Sequence, residues 1–205
     1  MSQELDYNES LTVLLNNRLQ SYADVLLLNG SFVDNLGFGK GKMGIAISLY
    51  YYAHYNISKV FEDCADELID EIYEEINTAT PLDFENGLTG IGWGLEYLVR
   101  NGFLEGDTDD ILKGIDFTLS ESLNEYLPEI RAVKKKEIGY DKYQLARNKS
   151  NPLDEGNLYS FIKQQTFNND PFNIPVLINA ENYGLFEGIA GEVLLTLREL
   201  SKITT

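Results

Sequence analysis

Four carboxylates stand in or beside short glycine-bearing segments of this 205-residue chain: Asp34, Asp83, Glu85 and Glu187. If those segments meet in the fold, two of the side chains can act as general acid and general base, as in glycoside hydrolysis. The same placement has a plainer explanation, because helix N-termini favour acidic residues without any catalytic purpose. Other chemistry has few candidates. The single histidine, His54, lies among Tyr50, Tyr51, Tyr52 and Tyr55, a setting for a partly exposed hydrogen-bonding imidazole. The single cysteine, Cys64, shares helical spacing with Phe61, Ala65, Leu68, Ile69 and Ile72. That spacing puts it on an apolar face as a buried thiol, and no disulfide can form within the chain. One thiol and one imidazole do not make a metal-ligand cluster, so no metal and no cofactor is expected.

The elements that must position these residues are announced by glycine. Gly37-x3-Gly41-x2-Gly44, Asp83-x3-Gly87-x2-Gly90 and Gly184-x3-Gly188-x2-Gly191 each run directly into an apolar stretch, which reads as a helical repeat. The pairs Gly41 and Gly44, Gly87 and Gly90, Gly188 and Gly191 have a structural role in this reading. A helix entering a crowded centre must bring its first turn close to neighbouring backbones, and glycine adds no side chain while also permitting a chain reversal. Helix N-termini also bind phosphate, but no segment has the GxxxxGK[ST] arrangement, and none follows a convincing strand.

Along the chain, Leu11 to Leu28 has helical spacing of Leu11, Leu14, Leu15, Leu19, Tyr22 and Leu26, an outer helix. An inner helix follows the first glycine segment, from about Met43 to Tyr55. From Ser58, a plausible N-cap, an amphipathic outer helix turns Val60, Phe61, Cys64, Leu68, Ile72 and Ile76 inward and an acidic face to water. The second glycine segment leads into another inner helix ending near Asn101. Asp107 or Thr108 caps an outer helix through Ile111, Leu112, Ile115, Leu119 and Leu123, terminated by Pro128. The spacing from Gly90 to Gly191 is about twice that from Gly44 to Gly90, so a repeat has decayed or been replaced. Residues 131–180 read as an irregular, polar insertion with one short helix over Leu153 to Gln164 and a loop over Phe167 to Pro175.

With 43% hydrophobic residues the chain has enough apolar content for one core, and 1–205 is read as a single domain. A net charge of -17 disfavours nucleic acid and anionic membrane and suits a cationic peptide or a basic protein surface. Arg131, Lys134, Lys135 and Lys136 form one basic island, either a solvated loop or a contact for the acidic surface of another copy. No apolar run reaches membrane-spanning length and no basic-then-apolar leader opens the sequence, so cytoplasmic residence is expected.

The segments Gly41-Lys42-Met43-Gly44, Gly87-Leu88-Thr89-Gly90 and Gly188-Ile189-Ala190-Gly191 resemble the Gly-x-x-Gly element of the lanthionine synthetase C-like (LanC-like) family. The run Gly184 to Gly191, with Leu194 to Leu200 after it, resembles that family's closing repeat. The likeness extends from about residue 11 to 201 and is poorest over 131–180. It implies an α/α toroid, inner helices ringed by outer ones. The chain's length implies an all-α, incomplete toroid of about three to four inner/outer pairs. Cyclases of the family add peptide cysteine thiols to dehydrated serine or threonine, using zinc held by two cysteines and a histidine. Those ligands belong to a Trp-Cys-x-Gly segment and a Cys-His dipeptide, whereas Trp93 here precedes Gly94. The resemblance therefore implies a relative without the zinc-bearing repeats.

Three functions follow as expectations. The first is a non-catalytic LanC-like peptide- or protein-binding protein, an accessory factor in peptide modification. Its cleft would be the open inner face of the arc, lined by aromatic residues including Tyr50, Tyr52, His54, Trp93, Tyr97, Tyr183 and Phe186. The second is an enzyme using the Asp and Glu residues of the loops. The third is a structural subunit that completes its ring as a homo-oligomer.

Overall fold

The computed structural model describes residues 2–163 and 182–203, with side chains over 8–162 and 182–203. The described residues are helices joined by loops and turns, with no strand among them. Helix α1 (Ser2–Asn29) starts well before the expected Leu11 and buries Leu15, Leu19, Tyr22, Ala23 and Leu26 at three- and four-residue steps. Helix α2 (Lys42–Asn56) is buried almost throughout its first half, because neighbours cover it on every side. It stops at Ile57, which takes the left-handed conformation and returns the Ser58 N–H to the Ala53 carbonyl at 3.0 Å. Helix α3 (Lys59–Glu75) buries Phe61, Cys64, Ala65, Leu68, Ile69 and Ile72, whereas Val60, expected inward, is exposed in the first turn and Ile76 is the half-buried C-cap. Ser58 is its N-cap by position, without a side-chain hydrogen bond.

Helix α4 (Leu88–Arg100) is the second helix introduced by glycine. The single outer helix expected after it is divided at Leu112 into α5 (Thr108–Ile111) and α6 (Lys113–Asn124). Asp107 caps α5 by accepting the Asp109 N–H at 2.9 Å. Pro128 does not merely end a helix. It opens α7 (Pro128–Glu137), where its missing N–H costs nothing. Helix α8 (Tyr140–Arg147) begins after Gly139, at φ 70, and α9 (Glu155–Lys163) realises part of the short helix expected over 153–164. The expected irregular stretch is therefore largely helical from 131 to 163, and the loop expected over Phe167 to Pro175 lies outside the described residues. Helix α10 (Ile189–Ile203) closes the chain.

The glycine-introduced helices lie side by side in the order α10, α2, α4, with α8 against the far side of α4. Helix α1 packs over α10 and α2, α3 over α2, and α6 over α4. The Ser48 hydroxyl on α2 sits 2.9 Å from the Ala190 carbonyl on α10, and Thr89 on α4 reaches the Ile138 carbonyl before α8 at 2.6 Å.

All three loops before these helices have one geometry. The N–H groups of Lys42, Leu88 and Ile189 donate to the carbonyls of Asn35, Pro81 and Asn182 at 2.8, 2.8 and 3.2 Å. One residue on, Met43, Thr89 and Ala190 repeat the pattern onto Leu36, Leu82 and Tyr183. The loop thus folds back over its own helix and satisfies the first orphan N–H groups. A Cβ on Gly44, Gly90 or Gly191 would lie inside contact distance of the carbonyl of Phe38, Phe84 or Leu185 respectively. Gly41, Gly87 and Gly188 are equally obstructed by Asn35, Pro81 and Gly184. Close approach is the reason for these glycines. Chain reversal is not, since Gly41 and Gly87 have extended backbone at φ -126 and -139.

Candidate functional site

The loops meet at the N-terminal ends of the glycine-introduced helices α2, α4 and α10. Gly39 N–H donates to the Glu85 carbonyl at 2.7 Å, and Phe186 N–H donates to the Gly39 carbonyl at 2.8 Å. Gly39, Glu85 and Phe186 are the same position in the three loops, so one contact passes from the third loop to the first and from the first to the second. A Cβ on Gly39 would strike the Phe186 ring at 2.5 Å. Asn35 Nδ2 adds a bond to Asn86 Oδ1 at 2.9 Å.

This junction gathers three of the four carboxylates. Lys40 Nζ pairs with Glu85 Oε1 at 2.7 Å, and its ammonium is raised above the usual lysine range by Glu85 first and by Glu187 and Asp83 as well. Asp83 is consumed by its own loop. Its Oδ1 accepts the N–H of Glu85 at 3.0 Å, the N–H of Asn86 at 2.9 Å and Asn86 Nδ2 at 3.2 Å. Glu187 is exposed and held at φ 56. Asp34 stands apart from these three, beside a groove of about 310 Å³ between the first loop and the α3 to α4 connection, with Leu36, Ala79 and Pro81 in its wall. Asn35, Asn77, Thr80 and Asn86 line that groove with it. A carboxylate fixed by three donors and another tied to a lysine are poor partners for acid and base exchange. The arrangement is better suited to holding positive charge.

The aromatic residues divide into two groups. Tyr50 and Tyr52 face outer helices: the Tyr50 hydroxyl donates to Asp66 at 2.6 Å, and that of Tyr52 to Gln20 at 2.5 Å. Burial and the Asp66 carboxylate push the Tyr50 phenol upward. His54 is exposed at the end of α2, with Nδ1 3.2 Å from the Tyr50 carbonyl and its ring edge-on to Phe103 at 4.8 Å. None of these three lines an inner cleft.

Trp93 and Tyr97 do face inward, stacked 5.1 Å apart, and the Tyr97 and Tyr51 hydroxyls meet at 2.5 Å. Burial pushes the Tyr97 phenol up to about 12. Phe38 joins them, with Trp93, Phe84 and Phe186 at 5.0, 5.2 and 5.8 Å. The open face expected here is occupied. Phe161 of α9 lies 5.1 Å from Phe84, 5.2 Å from Trp93 and 5.8 Å from Phe38. Tyr159 of the same helix donates to the Leu194 carbonyl of α10 at 3.1 Å. An aromatic core is cheaper in free energy than an aromatic-lined void, and α9 supplies the ring that fills it. Tyr183, half-buried, contributes its carbonyl to the start of α10.

Sequence reading missed a charged site. Arg147 of α8 donates to Glu96 of α4 at 2.9 Å, to Asp116 of α6 at 2.9 Å and to Asp109 of α5 at 3.0 Å. The Glu96 side chain is 0% exposed, and its Oε1 lacks a hydrogen-bond partner in the structure. Tyr143 completes the set by donating to Asp116 at 2.6 Å. A glutamate within an apolar helical run was the only available signal.

The donor set does not fit a zinc site of the family's kind. Burial pushes the sole thiol, Cys64, up to about 11 on α3, which disfavours the thiolate a metal needs. Its potential partner His54 belongs to the end of α2. Among the described residues no group of His, Cys, Asp and Glu side chains is arranged to hold a metal ion, and no helix is long and apolar enough to cross a membrane. Comparison with protein-family models, curated proteins and solved structures finds no match for this chain.

Proposed function

We propose that the chain is a non-catalytic LanC-like protein that binds a cationic peptide or a basic protein surface at the glycine-loop end of its helices. In this reading it forms an incomplete α/α toroid of about three to four inner/outer pairs and serves peptide modification in the cytoplasm. Support for the toroid comes from the order of the loops, third beside first beside second, which brings the chain's last helix next to its earliest ones. A linear stack would place the third loop beyond the second.

One observation carries the binding reading. Phe161 fills the aromatic inner face, so a ligand meets the loop end, where Asp34 is exposed beside a groove and Glu187 is exposed on the third loop. Positive side chains or a peptide amino group match that field, and the -17 charge speeds their encounter. The test is fluorescence anisotropy with labelled Lys-rich, neutral and Glu-rich peptides. The Lys-rich peptide binds selectively, and the combined Asp34→Asn and Glu187→Gln change weakens it about tenfold, the loss of roughly 1.4 kcal/mol. Equal affinity for the neutral peptide, or no response to those substitutions, refutes the proposal.

A further inference from the structure

The groove between the first glycine loop and the α3 to α4 connection has a volume of about 310 Å³. That is the lower end of the range for ligand pockets, enough for one extended side chain and too little for a helix. Three asparagines stiffen its wall. Asn35 donates from Nδ2 to Asn86 Oδ1 at 2.9 Å and accepts the Gly37 N–H at 2.8 Å. Asn77 donates to the Glu75 carbonyl and accepts the Ala79 N–H, both at 2.8 Å, and Asn86 Nδ2 donates to Asp83 at 3.2 Å. Each amide is therefore held in place by the protein's own groups.

The carboxylates of the wall are not held in this way. Asp34 is exposed and makes no hydrogen bond or ion pair among the described residues. Glu75 gives Oε1 to Lys42 Nζ at 2.9 Å, and its Oε2 has no partner among the described residues. Lys42 does not neutralise the groove, because its side chain is 4% exposed and its ammonium is shared between Glu71 and Glu75. Leu36, Ala79 and Pro81 add apolar surface to the same wall. Open carboxylate oxygens beside an apolar wall suit a ligand group with a methylene stem and a cationic head.

We propose that this groove is a subsite for a single lysine side chain of the bound peptide, its stem against Leu36, Ala79 and Pro81 and its ammonium at Asp34 and Glu75. Those two carboxylates belong to different segments of the chain. A compact ammonium with three rotatable donors serves acceptors of separate origin, whereas the rigid fork of a guanidinium prefers both oxygens of one carboxylate. The inference rests on the peptide-binding reading and deepens it. That reading needs only negative charge at the loop end, whereas a subsite also reads the length of the stem.

Fluorescence anisotropy at about pH 6 with three labelled peptides tests it: one Lys-rich, one with 2,4-diaminobutyrate at each lysine position, and one neutral. Both amines are protonated at that pH, so the two cationic peptides carry equal charge and differ only in a stem shorter by two methylenes. The wild type binds the Lys-rich peptide about tenfold more tightly than its short-stem homologue. Ala79→Trp, at an exposed position in a turn, fills the groove and changes no charge. It lowers the Lys-rich affinity to that of the homologue, with the circular dichroism spectrum unchanged. Equal wild-type affinity for the two cationic peptides, both above the neutral one, overturns the subsite and leaves the peptide-binding reading in place. Full Lys-rich affinity in a folded Ala79→Trp variant does the same. If neither cationic peptide exceeds the neutral one, both readings fall. Should Ala79→Trp fail to fold, the wild-type comparison decides alone.

Discussion

The Phe186 N–H lies 2.8 Å from the Gly39 carbonyl, which joins the last glycine loop of the chain to the first. The bond requires that neither loop carry a side chain where the backbones touch, since a Cβ on Gly184 would overlap Gly39 and Lys40. Side-chain-free contact is thus the mechanical basis of the junction, and it extends to the starts of α2, α4 and α10.

Gly90→Val should destabilise the protein by about 3 kcal/mol or more, because the new side chain meets the Phe84 carbonyl and the Phe38 Cβ. Gly114→Ala on α6, where nothing lies within 4 Å, should instead stabilise it by up to about 1 kcal/mol. Urea unfolding of both variants provides the comparison. Equal effects would show that crowding is not what selects glycine at position 90.

Arg147→Met leaves Glu96 buried beside Asp116 without its counter-charge, at a cost of about 3 to 5 kcal/mol. Adding Glu96→Met should restore much of that loss, since two apolar groups need no pairing. A double variant no more stable than Arg147→Met alone would remove the ion pair from the account.

Phe161→Ala should lower stability by about 3 kcal/mol and shift the emission of Trp93, the sole tryptophan, to longer wavelength as water enters the inner face. Unchanged emission would mean that α9 does not seal that face in solution.

Cys64 should resist Ellman's reagent in the native protein and react at once in denaturant, because burial both covers the thiol and pushes it up to about 11. Rapid native labelling would contradict its place on the buried face of α3.

Glu192 of α10 is raised above the ordinary 4.5 by burial, against the opposing pull of Arg18 at 3.0 Å. Its raised value means the folded state holds the proton more tightly. The associated stability is full below pH 4.5 and is lost as pH rises through the folded value. The difference in urea midpoint, wild type minus Glu192→Gln, should therefore fall with rising pH and then level off. A flat difference across pH 4 to 7 would be inconsistent with that burial.

Local physical chemistry made several elements legible without coordinates. The spacing of Phe61, Cys64, Leu68 and Ile72 is a property of adjacent turns, and it located the buried side of α3 directly. The Gly-x-x-Gly pairs marked three helix starts because the constraint on each acts within its own loop, on a carbonyl four to six residues back. Residues 131–163 were harder to read. Helix α7 buries nothing and so has no apolar face turned toward the core to betray it. The carboxylates Asp34, Asp83, Glu85 and Glu187 could be singled out by their place in or beside the glycine loops, but what Asp83 and Glu85 do depends on Lys40 and on backbone donors.

What sequence alone determined is the helical class, the glycine-marked repeat, the buried thiol and the poverty of metal ligands, each a consequence of residue type or short-range spacing. Tertiary structure decided the rest. The order of the loops, the filling of the inner face by Phe161 and the pairing of Arg147 with Glu96 join residues far apart in the chain, and no local periodicity encodes such partners. Only packing settles them, because an aromatic ring or a buried charge gains its energy from whichever distant group the fold brings against it.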